Sequence, residues 1–134
     1  AHEGFLKGDA RYFWSEQGWS NDWVTGLDLE RSSIRWPLDI REKAAYDCVV
    51  SYASPGGEAR LMLQVNGQQL KKGVPAFVPV PDRNYSRIDR PAEAIGQTWA
   101  RISLGTLRLN TGTDTLILQA SPSDVQILDC TLIK

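Results

Sequence analysis

Apolar and polar residues alternate along most of this chain, the period expected of strands with one face in a core. Between Ser33 and Ile40 the residues Ile34, Trp36, Leu38 and Ile40 share one face. Pro37 lacks an N–H, which suits an edge strand or a strand bend better than a central strand. Tyr46, Cys48, Val50 and Tyr52 alternate in the same way. The turn signal Ser54-Pro55-Gly56-Gly57 follows, then a strand over Arg60–Val65. Asn66-Gly67 is the dipeptide favoured by a type I′ hairpin and predicts reversal into Gln68-Gln69-Leu70. Ala100–Leu109 reads as a strand, or strand pair, bent at Gly105. A turn at Thr111-Gly112-Thr113 precedes a strand over Thr115–Ala120, and Ser121-Pro122-Ser123-Asp124 breaks it before the last strand, Val125–Ile133. Short strands at regular spacing, with no convincing helical period, predict a sandwich or barrel.

Two regions break the rhythm. Tyr12–Trp23 is crowded with aromatics: Tyr12, Phe13, Trp14, Trp19 and Trp23. The stretch from Lys71 to Thr98 is rich in proline and charge, and so long a connection is usually functional or disordered. The chain has 134 residues, enough for one domain with a proper core. Its net charge of -1 gives no electrostatic case for nucleic acid. No stretch reaches the ~20 apolar residues of a membrane span. The opening Ala1-His2-Glu3-Gly4-Phe5 lacks the basic-then-apolar pattern of a signal peptide, which does not bear on compartment.

The inventory argues against catalysis. The single histidine, His2, lies near the terminus, and Cys48 and Cys130 form no Cys-x-x-Cys pair. They read either as two buried thiols or as a disulfide between core strands. There is no nucleophile elbow, phosphate-cradling loop or metal-ligand cluster. Asp22, Asp28, Asp39, Asp82 and Asp89 could supply a carboxylate pair, but nothing in their spacing selects one.

The five tryptophans say more. Flat aromatic faces suit the C–H faces of sugar rings, and neighbouring polar side chains suit the hydroxyls. Trp19, Asn21, Asp22 and Trp23 have that mixture. Trp36 reads as core, Trp99 as core or a lid at a sheet edge, and Trp14, Trp19 and Trp23 stay open between core and surface. Arg83, Asn84, Tyr85 and Arg87 form a second group, suited to an anionic sugar or a partner domain, or else a solvated loop whose charges pair among themselves.

With these residues in view, the series Trp36…Ile40, Tyr46-x-Cys48-x-Val50-x-Tyr52-Ala53, Gly56-Gly57, Leu61-x-Leu63 and Asn66-Gly67 resembles the galactose-binding-like sandwich of family 6 and family 35 carbohydrate-binding modules. Thr98-Trp99, Leu104-Gly105, Leu107-x-Leu109-x-x-Gly112, Leu116-x-Leu118 and Val125-x-Ile127-x-Asp129 fit the same pattern. His2-Glu3-Gly4-Phe5, Ser20-Asn21-Asp22-Trp23 and Ile34-Arg35-Trp36 look closer still to the C-terminal accessory domain of secreted bacterial arylsulfatases. The chain departs from family 6 where a binding tryptophan commonly precedes Thr98-Trp99, because Ala94-Ile95-Gly96 holds no aromatic. Asp124 stands nearest to a sugar-binding asparagine, and Glu3 and Asp129 are weak candidates for a structural calcium.

These readings predict one all-β domain over 1–134, an antiparallel two-sheet β-sandwich of jelly-roll type. Its core would hold Trp36, Tyr46, Cys48, Val50, Leu61, Leu63, Leu107, Leu116, Leu118, Leu128 and Leu132. The resemblance implies an extracytoplasmic, non-catalytic module with two partners: a glycan, acidic or sulfated among the candidates, and the catalytic domain of a sulfatase or glycoside hydrolase. The alternative is a docking domain without sugar affinity of its own.

Overall fold

A computed structural model describes residues 4–15, 18–82 and 96–134, with the side chains of 13–15, 18–22, 81–82 and 96–97 left aside. The strands are β1 (Phe5–Lys7), β2 (Arg11–Ser15), β3 (Gly18–Thr25), β4 (Ser33–Ile40), β5 (Ala44–Ala53) and β6 (Ala59–Val65), followed by β7 (Gln68–Val74), β8 (Pro81–Asp82), β9 (Gly96–Gln97), β10 (Ala100–Leu109), β11 (Gly112–Ser121) and β12 (Gln126–Ile133). They form two five-stranded sheets, β1-β4-β11-β6-β7 and β10-β5-β12-β3-β2, and a small β8-β9 ladder. Pairing is antiparallel throughout. The chain changes sheet from β1 to β2, β3 to β4, β4 to β5, β5 to β6, β10 to β11 and β11 to β12, which is the jelly-roll way of winding a sandwich. Among the described residues there is no helix long and apolar enough to cross a membrane.

The alternation sorts residues as it predicts. Cys48, Val50, Leu61, Leu63, Leu107, Leu116 and Leu118 are buried between the sheets, with Trp36, Tyr46 and Leu132 packed partly buried against them. Pro37 pairs with Thr115 of β11, while β1 on the other side reaches only to Arg35, so the missing N–H falls beyond the end of β1. Asn66 at φ 46° and Gly67 at φ 79° make the tight reversal between β6 and β7. β10 is one strand whose register shifts between Ser103 and Thr106, around Gly105 at φ 125°.

Two expectations are corrected. The aromatic stretch does not interrupt the sheets: β2 and β3 pair within it, and Tyr12 faces the fully buried Val24. Tyrosine, phenylalanine and tryptophan all favour extended backbone, so the aromatic crowd builds an edge hairpin. Leu128 is not a core residue; Ile127 is, at 0% exposure. Ile127 faces Tyr52 and Asp129 faces Ser51, which leaves Leu128 as the extra residue of a bulge. Beyond it Cys130 and Leu132 point inward again, opposite Val50 and Cys48.

The two sheets also meet along one seam. β7 and β10 are edge strands of different sheets, and the side chains of β7 bond the backbone of β10. Gln68 Nε2 donates to the Arg108 carbonyl at 2.6 Å, and Gln68 Oε1 accepts from the Arg108 N–H at 3.1 Å. Lys72 Nζ donates to the Ser103 carbonyl at 2.9 Å. An edge that would otherwise invite another strand is thus occupied from within the molecule.

Candidate functional site

Among the described residues, six connections gather at one end of the sandwich: 8–10, 26–32, 54–58, 75–80, 98–99 and 122–125. They are braced against each other. Gly26 N–H and Thr25 Oγ1–H both donate to the Ser123 carbonyl, at 2.9 and 3.0 Å. Asp28 Oδ1 accepts the backbone N–H groups of Ser32, Arg31 and Glu30 at 2.9, 2.6 and 2.8 Å, so one carboxylate organises the whole β3–β4 connection. Those N–H groups, Ser32 first, hold its carboxyl well below the usual carboxylate range. Ser54 and Phe77 exchange backbone bonds, and Tyr52 OH donates to the Pro75 carbonyl at 2.8 Å. This pins the proline-rich strap 75–80 across the end of the sandwich. Little ordering would be left for a ligand to impose on a rim tied down this way.

At this end Trp23 of β3 and Trp99, just before β10, pack edge to face, with ring centroids 5.7 Å apart and an interplanar angle of 67°. Both are half-buried. Trp23 precedes the inward Val24 and so belongs to the outer side of its sheet, opposite Phe13 of β2. Thr98 holds Trp99 in place from the strap: its N–H donates to the Val80 carbonyl at 3.0 Å, and its Oγ1 accepts from Val80 N–H at 3.1 Å. The β8-β9 ladder lies against β3, so the base of the 83–95 connection stands beside the Trp23 strand.

Not every predicted residue can be placed. Trp19, Asn21 and Asp22 lie on β3, with side chains outside the described set. Arg83, Asn84, Tyr85, Arg87 and Glu3 lie outside the described residues. Trp99, read from the sequence as core or as a lid at a sheet edge, is half-buried against Trp23, and its part in the site was not read from the sequence. Asp124 sits in the 122–125 turn, against Gly56. Of the two calcium candidates only Asp129 lies among the described residues. Asp129 stands on the outer side of β12 opposite Ser51, and among the described residues no three acidic, histidine or cysteine side chains gather.

Cys48 and Cys130 are free thiols on neighbouring strands, diagonal to one another. Burial pushes the Cys48 thiol up to about 11, with Asp47 adding to it, and Cys130 up to about 12, with Cys48 and Asp129 adding. Neither is suited to act as a nucleophile at neutral pH.

The fold is a β-sandwich like those of carbohydrate-binding modules. It superposes on a Podospora anserina β-(1,4)-mannanase that joins GH26 and CBM35 parts, at TM-score 0.69 and 20% identity, covering 98% of this chain and 26% of that one. It superposes on a family 6 carbohydrate-binding module of a Cellvibrio mixtus lichenase, solved with cellotriose, at TM-score 0.67 and 14% identity, covering 100% and 93%. The C-terminal family 6 module of a Zobellia galactanivorans laminarinase matches at TM-score 0.66 and 14% identity, covering 100% and 95%. The chain thus spans about a quarter of the mannanase but nearly all of each isolated module. No family model and no curated protein matches it.

Proposed function

We propose that this chain is a non-catalytic carbohydrate-binding module, one domain over 1–134, whose sugar site is the corner formed by Trp23 and Trp99. The observation that carries the reading is that pair: two half-buried indoles locked edge to face on a hydrogen-bonded rim. Edge-to-face packing fixes ring orientation, so an indole face is presented to a pyranose without an entropic cost of ordering it. Trp19, Asn21 and Asp22 on the same strand, and Arg83, Asn84, Tyr85 and Arg87 on the connection rooted beside it, supply further stacking and polar contacts. A module of this kind acts by raising the local concentration of a joined catalytic domain on its substrate. The resemblance to arylsulfatase accessory domains favours an extracytoplasmic parent enzyme, a sulfatase or a glycoside hydrolase, and an acidic or sulfated glycan.

The test is tryptophan fluorescence titrated with neutral, uronate-rich and sulfated oligosaccharides, for the native chain and for Trp23→Ala and Trp99→Ala. A saturable change that weakens about tenfold or more in Trp99→Ala is the expected result. A flat response to every glycan by a folded native chain would overturn the reading. One observation favours a second reading, docking on a catalytic domain. Val78 and Val80, on the strap that holds Trp99, are 63% and 54% exposed. In that case the flat response would be joined by tight association with the catalytic domain of the same chain's parent enzyme.

A further inference from the structure

The β6–β7 reversal, at the end of the sandwich opposite the aromatic corner, carries a chemistry of its own. Of the asparagines in the chain, Asn66 alone is followed by glycine. An asparagine side chain can close on the backbone nitrogen of the next residue, and glycine, with no side chain, obstructs that nitrogen least. Asn66 and Gly67 are both exposed, and a Cβ added to Gly67 would meet nothing within 4 Å. Water therefore reaches the turn freely.

The conformation of the turn opposes that closure. Asn66 sits at φ 46°, in the left-handed region where ψ is about +47°. At that ψ the Gly67 nitrogen lies nearly opposite the Asn66 Cβ across the Cα–C bond, far from Cγ. A five-membered ring needs the two on the same side, so ψ must swing through more than a right angle. The Val65↔Gln68 pair closes the turn and prevents the swing while it holds. The Gln68 carboxamide is in turn bound to both backbone groups of Arg108, at 2.6 and 3.1 Å, so the seam between the sheets clamps one side of the turn.

We propose that Asn66 is a modification site, deamidated through a cyclic imide at a rate set by opening of the β6–β7 reversal. The Gly67 nitrogen attacks Asn66 Cγ and gives its proton to water, and the carboxamide nitrogen leaves as ammonia. Water then opens the imide at either carbonyl, and it is the only co-reactant. One product is aspartate, which suits a type I′ turn as asparagine does. The other is isoaspartate, whose backbone runs through Cβ and puts one extra carbon into a two-residue turn. That product no longer holds the register that brings Gln68 to Arg108, so a transient opening of the seam becomes permanent. The inference is independent of what the aromatic corner binds.

The experiment holds the whole chain at mildly alkaline pH, folded in buffer or unfolded in guanidinium chloride, as the native form and as Gln68→Leu. Asn66→Asp serves as the reference for the aspartate product. Mass spectrometry of the peptide containing Asn66 follows loss of the amide, enzymatic methyl-ester labelling counts isoaspartate, and circular dichroism confirms that each variant starts folded. In buffer the native chain is expected to react about tenfold or more slowly than it does unfolded. Gln68→Leu in buffer is expected to react about fivefold faster than native, while the two react alike when unfolded. The isoaspartate form is expected to melt below Asn66→Asp. Reaction of the folded native chain at the unfolded rate overturns the proposal, as does Gln68→Leu reacting at the native rate. Absence of isoaspartate at this position in the unfolded chain overturns it too.

Discussion

Replacing Gln68 with leucine tests whether the two sheets are tied along the β7–β10 seam. The carboxamide satisfies both backbone groups of Arg108, at 2.6 and 3.1 Å, as a paired strand would. Each such bond contributes a net of about 0.5–1.5 kcal/mol. Water can take over part of the role at this partly exposed edge, so the combined loss is set at about 1–2 kcal/mol. For a domain of 134 residues each kcal/mol moves Tm by roughly 3–5 °C, giving a fall of about 3–10 °C. Urea unfolding measures the loss, and amide exchange at Arg108 localises it. Gln68→Glu adds a check on sign. Its carboxylate still accepts from Arg108 N–H but sets a negative oxygen against the Arg108 carbonyl, so the folded state favours the protonated acid. The folded pKa is then raised, and the deficit against the native chain must shrink as pH falls through it. A Gln68→Leu variant within about 0.5 kcal/mol of native, with Arg108 exchange unchanged, would refute the seam as a structural tie.

Three further outcomes are expected. Leu63→Ala, which empties a fully buried position between the sheets, costs about 2–5 kcal/mol in urea unfolding. Asp28→Asn removes a carboxylate whose folded pKa is depressed. Its contribution is therefore present above the ordinary carboxylate range and lost as pH falls below it, so the variant's deficit seen at neutral pH narrows in acid. Cys48 and Cys130, raised to about 11 and about 12, favour the neutral thiol in the folded state; stability holds below about 9 and declines as pH rises toward those values, and neither thiol reacts with a disulfide reagent at pH 8 until urea is added.

Much of the fold was legible because one physical signal, period-two burial, governs most of the chain. Ser33–Ile40 is a strand with the bounds the alternation predicts, and Asn66-Gly67 and Gly105 reverse and bend the chain where their backbone freedom is needed. The failures have local causes. At Leu128 a bulge inserts one residue and shifts the inward parity, and alternation carries no mark of such an insertion. In Tyr12–Trp23 large aromatics on both sides of the strands hide which face is inward, and only pairing with β12 settles that Val24 is. The site was half legible for a similar reason. Trp23 stood out beside polar neighbours, whereas Trp99 is completed by tertiary placement alone. The Val80–Thr98 bonds and the contact of β9 with β3 bring the two rings together.

The central claim, that the Trp23–Trp99 corner binds sugar, is tested most directly through the indole N–H signals of the five tryptophans in a two-dimensional proton–nitrogen spectrum. Each signal is assigned by substitution and followed as an oligosaccharide is added. The account predicts saturable shifts at Trp23 and Trp99 while Trp36, packed against the core, stays in place. Shifts confined to Trp36, or five unmoved signals with every glycan class, would contradict it.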